Sequence, residues 1–349
     1  MFYFLHISKC AGTSFIGLAR KNVSLFRPDA TGNPLNPLTG ERISYWLWNA
    51  SEQGYFLSSP HWQLIANEKQ LGQETLFFEG VTYMTILRDP IDRLFSQYQF
   101  KIGKPYRSLP LEERGHKFAH FLTREGVDWW QNTLIANLTY RGKRHALKDR
   151  LEKAKERLGQ FDHVFLMDNL SADIAVLAQY GWRHVELPWK NAGTPGERKW
   201  SAARQALQPY PEILKQFLRA NEADLELYAY ACELAERRKT ELPQLRRIPR
   251  APQRIVPNSR NFEFLVISAY DAFLGGYQRA AIEILNRAEE LPEAKRCDYC
   301  GMSFAEFGLR AFNQPKRAYR ERRALQEENW QGRKTAATDE AAKRETPQT

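Results

Sequence analysis

Lys9 follows the apolar run Met1–Ile7 and sits among small residues, Ser8, Cys10, Ala11 and Gly12, before Thr13 and Ser14 open an amphipathic stretch. Small residues let the backbone bend closely around an anion. The first N–H groups of the helix that follows, and the positive end of its dipole, then favour a phosphate or sulfate. A second junction of the same kind lies at Arg88, which ends the apolar run 81–87 and precedes Asp89-Pro90, with Ser96 about two helical turns further on. The chemistry that suits both junctions is the holding of two phosphate groups, with Lys9 and Arg88 supplying full positive charges.

The elements that must position these residues are legible around them. Met1–Ile7 and Val81–Leu87 are nearly continuous apolar runs, the pattern of parallel strands buried on both faces. Phe15, Ile16, Leu18 and Ala19 recur as one helical face after the first run, and Ile91, Leu94, Phe95 and Tyr98 after the second. Asp89 suits an N-cap, Pro90 the first helical position and Asp92 the first turn. Strand, turn and helix in that order predict an α/β fold, a P-loop-like three-layer arrangement around a central parallel sheet. Because Lys9 precedes the glycine, the first loop is not a Walker A motif, which counts against an ordinary ATP-dependent kinase. The competing use of Arg88 is a structural ion pair with Asp89 or Asp92.

The sequence Ser8-Lys9-Cys10-Ala11-Gly12-Thr13-Ser14 resembles the 5′-phosphosulfate loop of sulfotransferases that use 3′-phosphoadenosine 5′-phosphosulfate, in the Pro-Lys-Thr-Gly-Gly-Thr-Ser form of their carbohydrate branch. Ser8 stands in the proline position, Cys10 in that of the threonine and Ala11 in that of the first glycine. Arg88-Asp89-Pro90, continuing to Arg93, Ser96 and Tyr98, resembles the 3′-phosphate motif of the same family. The resemblance implies that Lys9, Cys10, Ala11, Gly12, Thr13 and Ser14 hold the 5′-phosphosulfate, that Arg88 and Ser96 hold the 3′-phosphate, and that no metal is needed. It extends over roughly residues 1–240, through the strand-like run Phe161–Met167 and the helical stretch 221–231. One departure falls at Ile135-Ala136, where the family pattern has a Thr-Arg pair.

Transfer of a sulfuryl group also needs a base for the acceptor proton. The segment Gly54–Trp62 is similar to one in heparan sulfate 2-O-sulfotransferases that carries the catalytic histidine, which implies His61 as the base beside Lys9. Glu52 and Glu79 are the reserve candidates, and His6 is expected to pack at its strand end. The implied enzyme is a bacterial type that sulfates a hydroxyl of a carbohydrate or glycoconjugate. The alternatives are a small-molecule kinase, which would require magnesium and prefer ATP, and a nucleotide-binding adaptor without turnover.

With 349 residues, 43% of them hydrophobic and 13% aromatic, the chain has enough apolar material for one large or two smaller domains. Its net charge of +10 favours anionic partners, and nucleic acid, anionic lipid, acidic polysaccharide and a nucleotide donor all fit it; with the resemblance, the expected partners are the nucleotide donor and a hydroxyl acceptor, with no nucleic acid. No run approaches the length of a membrane span, and no signal peptide precedes Met1–Ile7, so a soluble cytoplasmic protein is expected. Four cysteines make no disulfide framework. The expected organisation is a sulfotransferase domain over 1–238, a basic Pro-rich linker over 239–260, a helical C-terminal extension over 261–325 and a disordered tail over 326–349. Residues 25–40 read as a loop over the nucleotide and Trp189–Lys199 as a late basic loop covering it. Cys297 and Cys300 resemble half a zinc site, too few ligands to hold a metal alone.

Overall fold

The computed structural model describes residues 1–68, 77–127, 131–139, 146–187, 202–239, 259–296 and 302–313. The late basic loop Trp189–Lys199, residues 240–258 of the linker, Cys297, Cys300 and the tail lie outside them.

The apolar runs form strands, as their composition demands. β1 (Phe2–Leu5), β2 (Leu64–Asn67), β3 (Thr82–Leu87) and β4 (His163–Leu166) make a sheet in the order β2-β1-β3-β4 with every pairing parallel. Helices α1 (Gly12–Asn22) and α2 (Ala50–Phe56) lie between β1 and β2 in sequence. Between β3 and β4 come α3 (Pro90–Lys101), α4 (Leu111–Glu125), α5 (Thr133–Leu138) and α6 (Leu147–Leu158). After β4 follow α7 (Leu170–Asp173), α8 (Ala202–Leu207), α9 (Pro211–Ala220) and α10 (Glu222–Arg237).

The order of the strands locates the site. The chain steps from β1 to β2 in one direction across the sheet and from β3 to β4 in the other. Right-handed crossovers therefore put the two sets of helices on opposite faces. Alternate residues of β1 show both faces covered: Phe4 packs on Phe15 of α1, ring centroids 4.2 Å apart, whereas Tyr3 meets Tyr45 at 6.1 Å and Tyr83 at 5.3 Å. The direction reverses between β1 and β3. In open α/β sheets ligands bind outside the carboxyl ends of the strands at this switch point, and both anion-binding candidates leave the sheet there.

Beyond the sheet, Ile91, Leu94, Phe95 and Tyr98 of α3 share a core with Phe118, Phe121 and Leu122 of α4 and with Ala206, Leu207 and Phe217. Helices α4 and α8 cross so closely that a Cβ on Gly115 would come within 2.2 Å of the Ala206 carbonyl oxygen. From α10, the buried Asp224 carboxylate accepts the amides of Leu134 at 2.9 Å and Ile135 at 3.0 Å, capping α5 from outside. Ile135 and Ala136, the pair that departs from the resembled pattern, are buried.

Residues 35–43, 259–296 and 302–313 belong to a second compact unit. It contains α11 (Phe262–Leu274), α12 (Gln278–Glu289) and α13 (Phe304–Asn313). Leu265, Val266, Leu285, Ala288, Phe304 and Phe312 form its core, and Leu38 is buried with them. This corrects the reading of 25–40 as one loop over the nucleotide. Residues 35–40 belong to the helical unit because Leu38 finds its apolar partners there. Among the described residues no helix is long and apolar enough to cross a membrane.

Candidate active site

The loop after β1 is bent by two left-handed residues, Lys9 (φ 70°) and Ala11 (φ 59°). Each such conformation costs a non-glycine residue roughly 1–3 kcal/mol and persists where the surroundings impose it. Cys10 closes a turn by donating its amide to the Ile7 carbonyl at 3.2 Å, and Ala11 starts α1 by accepting from Ser14 and Phe15. The amides of Ala11, Gly12 and Thr13 donate to no group among the described residues, the condition for an anion-binding helix start. Gly12 is required for a different reason. The His6 ring lies directly beneath it, and a Cβ there would fall 1.8 Å from His6 Cδ2. That ring is fixed by stacking on Phe4 and by donating from Nδ1 to the Thr31 carbonyl at 2.9 Å. Burial holds its pKa below the usual histidine range. His6 is thus a packed strand-end residue, as expected.

The Cys10 and Ser14 side chains are buried. Burial pushes the Cys10 thiol up to about 11, so Cys10 stays a neutral thiol, and its amide is already engaged by Ile7. Lys9 is the charged member of the loop. Burial, with the guanidinium groups of Arg107 and Arg88 nearby, lowers its pKa to about 8. Its Nζ stands 4.1 Å from the centroid of the Phe100 ring in the last turn of α3, and the Ser8 hydroxyl donates to Gln97 Oε1 at 3.5 Å. The first loop therefore leans on the helix that carries the second motif.

At that second motif, Asp89 caps α3 by accepting from the amides of Ile91 at 2.8 Å and Asp92 at 3.1 Å. Its other oxygen takes a hydrogen bond from Arg204 at 3.0 Å. Asp92 accepts the Ala203 amide at 2.7 Å, and burial raises its carboxyl to about 7. The half-buried Arg88 guanidinium makes no hydrogen bond among the described residues, while its charge acts on Lys9, Asp92 and Asp168. Ser96 is half-buried in the middle of α3.

His61 is not at this site. It precedes β2, whose Leu64 pairs with Phe2 at the start of β1, whereas the phosphate loop leaves the other end of β1 after Leu5. Parallel pairing puts the two at opposite ends of neighbouring strands, so His61 lies away from the loop, and its assignment as base is corrected. Glu79 fails for the same reason, lying in the turn before β3, and Glu52 accepts the Asn49 amide within its own capping box. Glu68, which no motif marked, lies at the same end of the strands as the first loop. It follows β2 directly, its amide is held by Asn33 Oδ1 at 2.7 Å, and its charge reaches both Lys9 and His6. The signal that could have found it is positional: in a parallel sheet the working residues come after an apolar run. Asp168, just past β4 and 3.5 Å from the Tyr228 hydroxyl, follows the same rule.

No curated protein and no solved structure matches this chain. A match does exist at the level of protein families, and it covers the part of the chain just described. The model of the Sulfotransferase family fits residues 1–231, which hold the four described strands, both candidate anion-binding loops and the α5 cap, and the chain belongs to the sulfotransferase family.

Proposed function

We propose that this enzyme moves the sulfuryl group of 3′-phosphoadenosine 5′-phosphosulfate to a hydroxyl of a carbohydrate or glycoconjugate. The observation that carries the reading is the meeting of Lys9 and Arg88, each following its own strand, at the switch point between β1 and β3. The amides of Ala11, Gly12 and Thr13 and the Lys9 ammonium bind the 5′-phosphosulfate, and Arg88 with Ser96 binds the 3′-phosphate. Lys9 faces the bridging oxygen, where negative charge grows as the S–O bond breaks.

The acceptor oxygen attacks sulfur in line, its proton passes to Glu68, and adenosine 3′,5′-bisphosphate leaves. Glu68 suits the role because its backbone is anchored to Asn33 and its carboxylate stands in the field of Lys9. With His61 at the other end of the strands, the segment similar to heparan sulfate 2-O-sulfotransferases does not reach the acceptor, and the acceptor is a carbohydrate hydroxyl of no particular branch.

The test is release of adenosine 3′,5′-bisphosphate from the phosphosulfate donor, followed by chromatography across a panel of soluble glycans. Glycan-dependent release with a mass gain of one sulfuryl group on the acceptor is the expected result. Phosphoryl transfer from magnesium ATP, or donor binding with no turnover on any acceptor, would overturn the proposal in favour of a kinase or an adaptor.

A further inference from the structure

We propose that Phe100 is the positioning residue for Lys9, its ring face holding the lysine ammonium at the donor loop without bringing a negative charge into an anion site. The proposal rests on the reading of Lys9 as a ligand of the 5′-phosphosulfate.

Phe100 is 54% exposed, whereas Phe95 and Tyr98 of the same helix are buried in the core. The helical core does not explain a phenyl ring at this position. What lies against it is cationic: Lys9 Nζ at 4.1 Å from the centroid and the Arg107 guanidinium at 5.8 Å. Gln97, one turn earlier on the same face of α3, receives the Ser8 hydroxyl at 3.5 Å. Consecutive loop residues thus rest on successive turns of one helix. With the Lys9 backbone held in its left-handed conformation, the ring fixes where the side chain points.

The charges around Lys9 explain why a ring serves here. Arg107, past the end of α3, and Arg88, at the end of β3, push against the ammonium; Glu68, after β2, favours it, and the neutral Cys10 thiol in its own loop and the neutral His6 lie nearby. A carboxylate at position 100 would hold Lys9 more firmly. It would also cancel the positive charge and repel the incoming phosphosulfate. A ring attracts the cation through its quadrupole and carries no net charge, so the lysine is steadied and remains fully available.

The experiment is a double-mutant cycle on calorimetric binding of adenosine 3′,5′-bisphosphate, with Lys9→Ala, Phe100→Leu and the two combined, plus Phe100→Trp. Phe100→Leu should weaken binding roughly three- to thirty-fold, add nothing once Lys9 is alanine, and be rescued by Phe100→Trp. The ring stabilises the charged amine, so the alkaline loss of binding, near pH 8 in the unmodified enzyme, should move to lower pH in Phe100→Leu. If Lys9→Ala weakens binding but Phe100→Leu does not, or if the two losses simply add, Phe100 does not position Lys9 although the donor-loop reading survives. If Lys9→Ala leaves binding unchanged, the donor-loop reading fails and the proposal with it.

Discussion

Arg204 donates to the Asp89 carboxylate across 3.0 Å, and this pair determines what the neighbouring Arg88 is left to do. Asp89 already caps α3 with its other oxygen, and the Asp92 carboxyl is tied to the start of α8 through Ala203. Asp89 is thus taken up by the cap and by Arg204, while Asp92 and Asp168 feel the Arg88 charge without accepting a hydrogen bond from it among the described residues, so the guanidinium's donors stay open to an anion.

Adenosine 3′,5′-bisphosphate should accordingly bind much more tightly than AMP. A charge-assisted hydrogen bond contributes roughly 1.5–3 kcal/mol, which corresponds to about ten- to a hundred-fold in affinity. Arg88→Ala should remove most of that preference and leave AMP affinity nearly unchanged, as read by calorimetry. Equal affinities in the unmodified enzyme would dissociate Arg88 from the 3′-phosphate.

Replacement of the proposed base separates binding from chemistry. Glu68→Gln should lower turnover by about 10²–10⁴ while hardly changing bisphosphate affinity. His61→Ala, at the other end of the strands, should keep turnover within about two-fold, because its ring lies away from the loop. A loss of turnover confined to His61→Ala would return the role of base from Glu68 to His61.

The Asp92 carboxyl titrates at about 7 in the folded chain because burial disfavours its charge. A folded pKa raised above the unfolded value means stability that is full at acid pH and lost as pH climbs toward the folded pKa. Asp92→Asn, which keeps an acceptor for the Ala203 amide, should therefore gain melting temperature over the unmodified chain increasingly from about pH 4 to 7 and hold a constant advantage above. An advantage that does not vary with pH would show that the carboxyl is ionised throughout.

Asp224→Ala should destabilise the fold by about 3–5 kcal/mol. It strips two amides of α5 of their acceptor and leaves the buried Arg93, whose charge acts on this carboxylate, without that counter-ion. Denaturant unfolding measures the loss, and Asp224→Asn should recover part of it by accepting one of the amides.

Local signals made the two loops readable. Apolar runs ending in small residues marked β1 and β3, and Asp89-Pro90 marked the start of α3 down to the residue. The proposed base was not readable in the same way. Leu64–Asn67 is only one short apolar run, too brief for its period to separate strand from helix, so nothing flagged Glu68 as the residue at a strand's carboxyl end. Phe100 was equally hidden, because an aromatic at helical spacing reads as core until its neighbours prove to be Lys9 and Arg107.

The burial of Leu38 among α11, α12 and α13 also has a temporal side. A chain is made from its amino end, so Leu38 leaves the ribosome long before Phe262 exists. At about 5–20 residues per second the wait is roughly ten to forty seconds. During it the sheet and its helices have time to form, while residues 35–43 remain a loop whose apolar partners have yet to be made. The helical unit can close only once α13 has been made, and a ribosome that stalls before then releases a product with Leu38 uncovered.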